Sequence, residues 1–293
     1  MSAPAPPAPN RALVVAAVAF VLVVVGFGAA TLVSQGFRST TEHSSALAVA
    51  AGQLTMRNTH GDIRLVPSPD GLVHVHTLAE HGLEAPELIE ESSPSGLELG
   101  SRCTDALAVE CSVEYTIEVP PSFAVRVAAE AGDIDVRGLT GPVTVDSGSG
   151  DVLLRDLSGR LDVRTAAGEV EARRLHSGTV QVDTGFGDVR VELLAVPDSV
   201  RVRSDHGRLD ITVPDAEPYR VQVDAGSGEQ RISVPTDPAA ARSITASSGA
   251  GDIRVHALFG DGPRAVPPPP VPPEPPRPPV PPRPPDPVGE LPG

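Results

Sequence analysis

Gly132-Asp133-Ile134-Asp135-Val136 is followed by Gly150-Asp151-Val152-Leu153-Leu154, and the pattern continues. It returns as Gly168-Glu169-Val170-Glu171-Ala172 and Gly187-Asp188-Val189-Arg190-Val191. Weaker copies stand at Gly207-Arg208-Leu209-Asp210-Ile211 and Gly228-Glu229-Gln230-Arg231-Ile232. A full copy, Gly251-Asp252-Ile253-Arg254-Val255, closes the series. The steps are 18, 18, 19, 20, 21 and 23 residues, and one earlier copy, Gly61-Asp62-Ile63-Arg64-Leu65, stands alone upstream. Recurrence at a slowly lengthening period marks a repeat architecture.

Each glycine is preceded by a second apolar pair, as in Val143-Thr144-Val145-Asp146, Leu161-Asp162-Val163-Arg164 and Val180-Gln181-Val182-Asp183. One repeat therefore reads as a strand, a small turn and a second strand, with apolar residues on one face of each. The turn is rich in Ser and Gly, as in Ser147-Gly148-Ser149-Gly150. Glycine supplies the positive φ of a tight turn, and Asp or Ser bonds the local backbone. Such a unit cannot bury its own apolar face, but it can when stacked on its neighbours. The expected fold is all-β: a β-solenoid, a β-helix-like stack of two-strand repeats. Seven rungs at about 4.8 Å would make a rod roughly 30–35 Å long. An antiparallel meander or sandwich is the competing arrangement. The near-identical recurrence of the Gly-Asp step favours the stack.

Composition agrees with a thin core. Aromatics are 3% of the 293 residues and Trp is absent. The formal charge is −15, with 23 arginines and no lysine. That balance argues against nucleic acid as a partner, since phosphate binding needs a basic surface.

Outward from the repeat, residues 1–11 are a short N-terminal tail and residues 12–33 an uncharged apolar run. As a helix this run would rise roughly 33 Å, enough to cross a bilayer core. It predicts one transmembrane anchor. A cleaved signal peptide is the competitor, with Gly28-Ala29-Ala30 as a weak cleavage site, but the run exceeds the usual apolar core of such peptides. Arg11 before the run, against Arg38 and Glu42 after it, leans to a cytoplasmic N-terminus and an extracytoplasmic domain. Residues 34–46 read as a linker, 47–262 as the repeat domain and 263–293 as a proline-rich tail. Sixteen of the 26 residues from Pro267 to Pro292 are Pro, a composition that favours polyproline II over a packed core.

Within the domain, Leu97-Glu98-Leu99 and Val113 to Val119 read as a hairpin, with Cys103 and Cys111 across its turn. A disulfide there suits an exported domain. The irregular N-terminal half reads as a cap on one end of the stack.

Chemistry-bearing motifs are sparse. Calcium-binding β-rolls use Gly-Gly-x-Gly-x-Asp nonapeptides; here the period is at least twice as long and the double glycine is missing. The column Asp133, Asp151, Glu169, Asp188 could line a groove as glycosidase carboxylates do, but Arg208 interrupts it and arginines are interspersed among the outward positions. Five of the eight histidines fall between His43 and His81, with His74 and His76 on one strand face; separate surface histidines explain them better than a metal site. The residues therefore predict no catalytic site, no cofactor and no metal.

The repeated steps Ser147-Gly148-Ser149-Gly150-Asp151-Val152 and Ser248-Gly249-Ala250-Gly251-Asp252-Ile253 resemble the bacterial putative-adhesin β-strand-repeat family, a domain of unknown function. The resemblance spans about residues 47 to 258 and rests on recurrence, not on any one copy. It implies a right-handed β-helix-like fold, often beside a membrane anchor, with a role in adhesion or envelope stress and no catalytic residues to carry over. This chain departs at Gly207-Arg208 and Gly228-Glu229, where the Asp is lost. Three functions are thus set against each other. The first is a non-enzymatic, membrane-anchored envelope protein that binds cell-wall or surface glycans or envelope proteins. The second is a self-assembling homo-oligomeric scaffold resembling bactofilin filaments. The third is a β-helix polysaccharide-cleaving enzyme.

Overall fold

The computed structural model describes Phe20 and residues 39–49, 52–82, 85–103 and 111–258. The apolar run, Phe20 apart, and the proline-rich tail lie outside them. No helix among the described residues is long and apolar enough to cross a membrane.

The repeat forms two facing sheets. In chain order the strands are β1 (Ser39–Leu47), β2 (Gln53–His60), β3 (Ile63–Pro67), β4 (Val73–His81), β5 (Glu87–Ser93), β6 (Gly96–Arg102) and β7 (Ser112–Val119). The regular array follows with β8 (Ala124–Ala131), β9 (Ile134–Arg137), β10 (Val143–Ser149), β11 (Val152–Arg155), β12 (Leu161–Ala167) and β13 (Val170–Leu175). It continues with β14 (Thr179–Phe186), β15 (Val189–Leu193), β16 (Ser199–His206) and β17 (Leu209–Val213). The last four are β18 (Arg220–Asp224), β19 (Gln230–Ser233), β20 (Ser243–Ala250) and β21 (Ile253–Ala257).

Sheet one runs β1-β4-β7-β3-β9-β11-β13-β15-β17-β21-β19, and sheet two runs β18-β20-β16-β14-β12-β10-β8-β2-β6-β5. Each rung places one strand in each sheet, and in every rung but β6/β7 the two are joined at a corner glycine. Pairing between rungs is parallel and in step, as in Val143↔Leu161 and Val152↔Val170. Alternation in each strand sends Val143, Val145, Val152 and Leu154 into the space between the sheets, where all are buried. The stacked repeat expected from the sequence is therefore present, and the meander is not.

Three expectations need correction. The rungs do not stack in chain order. β20 and β21 insert between β16/β17 and β18/β19, and β6/β7 lie outside β2/β3 although they follow them in the chain. The stack has nine rungs instead of seven, because β2/β3 and β6/β7 complete it. Second, Leu97 to Leu99 and Val113 to Val119 are not a hairpin: β6 and β7 sit in opposite sheets as one rung, and the true hairpin is β5 on β6. Third, residues 39–46 are not linker; β1 pairs antiparallel with β4 from Ser39↔His81 to Leu47↔Val73. Its exposed polar side chains hid it, since along most of its length it has no apolar face to bury.

The N-terminal half does cap the stack. β4 pairs antiparallel with β7, β1 with β4, and β5 with β6. Cys103 and Cys111 form a disulfide with Cα atoms 6.1 Å apart. It spans the connection between β6 and β7, so it ties the two sheets of the outermost full rung together.

Candidate binding face

The Gly-Asp corner explains its own sequence. Gly150 has φ of +118°, and a Cβ there would lie 2.2 Å from the Gly132 carbonyl oxygen. The position thus demands glycine twice, for its backbone conformation and for the close approach of the rung before it. Gly61, Gly132, Gly168, Gly187, Gly207 and Gly251 share the positive φ. Gly228 does not; at that corner Gly226 takes it, with φ of +55°. Gly207 keeps the turn despite Arg208, so loss of the Asp alone does not disturb it.

The Asp has a different task. The Asp133 N–H donates to Asp62 Oδ1, Asp151 N–H to Asp133 Oδ1, and Glu169 N–H to Asp151 Oδ1, each at 2.9 Å. Arg208 N–H donates to Asp188 Oδ1 at 2.8 Å, and Glu229 N–H to Asp252 Oδ1 at 3.1 Å. Each carboxylate therefore stitches its corner to the equivalent corner of the next rung. Aspartate has the reach, and its charge strengthens the bond. The column is a structural ladder along an exposed edge.

A second column lies just inside. Ser147, Thr165, Thr184, Ser204 and Ser248 share one register and are buried. Ser248 Oγ donates to the Gly207 carbonyl at 3.0 Å and Thr165 Oγ1 to the Ala167 carbonyl at 3.3 Å. At these two positions the hydroxyl serves a corner carbonyl that an aliphatic side chain would not, whereas Ser147 Oγ and Thr184 Oγ1 are buried without a partner among the described residues.

Beside the acid ladder, the outer face of sheet one holds a groove of about 610 Å³ lined by Asp62, Asp133, Asp151 and Glu169 on one wall and Arg64, Asp135, Arg137, Arg155 and Glu171 on its floor. Its charges are paired. Arg137 donates to both oxygens of Asp135, at 2.7 and 2.5 Å, which raises the arginine pKa further. Arg64 lies 3.8 Å from Asp135, Arg155 3.8 Å from Glu171, and Arg190 3.7 Å from Glu169. On the neighbouring corner, Arg174 holds the Asp156 carboxyl below the usual range. The acids read as a possible glycosidase wall thus serve as backbone acceptors and ion-pair partners.

The histidines do not converge. His74 bonds Asp70 at 2.9 Å, His76 bonds Ser44 at 2.9 Å, and His81 bonds Thr41 at 3.1 Å. The last two tie β1 to β4.

One feature of the edge escaped the sequence reading. The residue before each corner glycine is small in most copies: Ala131, Ser149, Ala167 and Ala250. In the Gly61 copy it is His60, and in two adjacent rungs it is Phe186 and His206, whose rings stack with centroids 4.9 Å apart and planes 10° from parallel. Phe186 is 60% exposed, whereas Phe123, Tyr115 and Tyr219 are buried. His206 covers one face of the Phe186 ring. The other face looks along the column over Ala167 and Ser149, which leave it open. Aligning the copies on their glycines would have shown this break.

The fold and the corner identify the class: a parallel-stacked, two-sheet β-repeat domain. The Toastrack DUF4097 family profile matches residues 109–262, just over half of the 293-residue chain, and the chain belongs to that family. Among solved structures it is similar to a putative cell adhesion protein from Clostridium sporogenes, at 11% identity over 75% of this chain and 100% of the other, with a TM-score of 0.35. It is also similar to a putative adhesin from Bacteroides fragilis, at 14% identity over 75% of this chain and 97% of the other, with a TM-score of 0.42. None of the curated proteins matches the chain.

Proposed function

We propose that the chain is a non-enzymatic, membrane-anchored envelope protein whose repeat domain binds a surface polymer along the corner edge. The observation that carries this reading is the Phe186–His206 stack. An exposed aromatic ring with one open face, on rungs whose corners carry Glu169, Asp188 and Arg208 two residues after Ala167, Phe186 and His206, presents an apolar plate near hydrogen-bonding groups. That combination suits sugar rings, which offer an apolar face and a hydroxyl edge. The paired acids and arginines of the adjacent groove extend the polar surface along the stack. Membership of the Toastrack family supports a surface-binding role.

The apolar run at residues 12–33 supplies the anchor in this reading, with the repeat domain extracytoplasmic. The oxidised Cys103–Cys111 pair supports that side of the membrane, because such bonds persist in oxidising compartments. A part in the envelope stress response belongs to the same reading.

The test is binding of the intact, detergent-solubilised chain to isolated cell walls, purified envelope glycans and envelope proteins. Phe186→Ala is expected to weaken glycan or cell-wall binding at least tenfold while leaving the unfolding transition in place. A chain that binds none of these would sink the reading; retention of full binding by Phe186→Ala would move the site elsewhere. Protease shaving of intact cells carrying a C-terminal epitope should remove the tag, and a protected tag would put the domain inside.

A further inference from the structure

The outer face of sheet two is ruled by columns of residues in register. Down its middle, Asp146, Arg164, Asp183 and Arg203 stand on successive rungs and alternate in sign. Arg57 and Ala128 continue the column towards the capped end, and Ser247 and Asp224 towards the other. The order of this column is mirrored about its centre with the signs exchanged. Arg57 answers Asp224, Ala128 answers Ser247, Asp146 answers Arg203, and Arg164 answers Asp183. Alternation eases repulsion between rungs within one copy, as where Arg164 lies 3.7 Å from Asp146. It does not require the two ends of the column to answer each other as well.

The face carries these charges in the open. Arg57, Asp146, Arg164, Arg203 and Asp224 are exposed, and Asp183 is half-buried. No described strand lies across them. Beside the column a depression of about 710 Å³ runs over Gly148, Ala166 and Gly185. Residues 235–237 flank the Tyr219 end of β18, and Asp224 at its other end stays exposed.

We infer that this face pairs with the same face of a second copy, around a two-fold axis that runs parallel to the strands and passes between β12 and β14. The rotation keeps the strand direction, reverses the order of the rungs and sets each column against itself. Every charge of the middle column then faces an opposite charge, and its neutral positions face each other. The column beside it fits too: Glu130 falls opposite Gly249 and Asp205 opposite Gly148, so acids meet glycines. Other axes fail. Moved one rung towards the capped end, the axis sets Arg57 against Arg203; moved one rung the other way, it sets Asp146 against Asp224. An axis along the stack, over this column, sets every charge against its own copy. Like charges opposed across a seam suppress pairing.

The eight strands from β2 to β18, at about 4.8 Å spacing and about 20 Å of length each, offer roughly 700–800 Å² per copy, the size of a standard interface. Ion pairs and small residues make it a weak, salt-sensitive contact and not an obligate one. It is isologous and closes at two copies, with the capped ends at opposite ends of the pair. The corner residues, Phe186 among them, lie beyond these columns, so the pairing does not rest on the binding reading above.

The experiment uses the intact chain in detergent at low salt. Sedimentation equilibrium over a concentration series should show a monomer–dimer equilibrium, with the dimer at twice the 30.2 kDa of one chain. Asp146→Arg places arginine opposite Arg203 of the second copy, and Arg203→Asp places aspartate opposite Asp146. Each alone should weaken the dimer at least tenfold. An equimolar mixture of the two variants should recover it, because every pair across the seam is then of opposite sign again, and mixing cannot cure a folding defect. Arg254→Asp, on the outer face of sheet one, should leave the dimer as it is. Salt at about 0.5 M should weaken the pair. A strict monomer at the highest concentration reached, an assembly larger than two, a mixture no better than its parts, or an equal effect of Arg254→Asp would overturn the proposal. So would a dimer that appears only after residues 259–293 are removed, because the chain's own tail would then be the occupant.

Discussion

The two ends of the stack are built from the same repeat and finished in different ways. At the β6/β7 end, antiparallel strands cover the edges, the disulfide joins the sheets, and polar groups close the gap between them. Asn58 Nδ2 donates to the Val113 and Gly61 carbonyls at 2.9 and 3.0 Å, and Ser101 Oγ donates to Asn58 Oδ1 at 2.5 Å. At the β18/β19 end the described residues add no further strand beyond the Tyr219–Thr236 bridge, and an isoleucine of the core meets solvent. Yet both ends obey one rule of order. The full copies around Gly61-Asp62 and Gly251-Asp252 lie one rung in, and the outermost rungs, β6/β7 and β18/β19, lie outside them whatever their place in the chain, while the weaker Gly207-Arg208 copy sits further in. A full copy can stack on both sides; a copy such as Gly228-Glu229-Gln230, with a polar residue at an inward position, is suited to an end.

Truncating a core side chain should separate the ends most sharply. Leu54 is fully buried behind the caps, and Leu54→Ala should cost about 2–5 kcal/mol. Ile232→Ala, at the β18/β19 end, should cost under about 1 kcal/mol, because its side chain is already partly in water. Guanidinium unfolding of the two variants in parallel measures the difference. Equal losses would mean that the β18/β19 end is as closed as the other.

The capped end should also respond to alkali. Tyr115 donates its hydroxyl to the Gly100 carbonyl at 2.8 Å, and burial pushes its pKa up to about 12. A folded-state pKa raised above the unfolded value of about 10 means that the folded chain holds its proton longer. The stability from this group is complete below about pH 10 and is lost as pH rises towards 12. Tyr115→Phe should cost about 1 kcal/mol at neutral pH and flatten that alkaline limb. A pH series of unfolding midpoints that declines equally steeply in both proteins would remove Tyr115 as the cause.

What the sequence made legible follows from what repeats. The strand–corner–strand unit, its glycines and the inward Val, Ile and Leu could be read because each is restated in every copy, and periodicity is the sequence's strongest structural signal. Features that occur once were harder. β1 has no apolar face, so nothing in its composition distinguishes it from linker. The insertion of β20/β21 is a choice among similar partners, and local pattern does not rank them. The acid column was visible, but its purpose was not. A carboxylate that caps the next rung looks in sequence like any acid at a turn. Phe186 was legible in principle, as the one aromatic hydrocarbon ring in a column of mostly small residues.

The smallest effect concerns that acid column, and it extends the comparison to the middle of the stack. The ladder is continuous from Asp62 to Glu169, then lapses, because the longer Glu169 makes no such bond to Asp188 among the described residues. Glu169→Asp should restore the link by accepting from the Asp188 N–H. The gain should be about 0.5–1 kcal/mol, with slower hydrogen exchange at that amide. The exposed Arg190–Glu169 pair, at 3.7 Å, would be weakened, but such pairs contribute little, and Arg190 keeps Glu171 at 3.6 Å. Asp151→Ala should lose a similar amount by freeing the Glu169 N–H. Glu229→Asp should change nothing, since among the described residues β19 has no rung beyond it to donate such a bond. If Glu229→Asp stabilised the chain as much as Glu169→Asp, the gain would come from the shorter side chain at its own turn, and the ladder would not be what the aspartates are for.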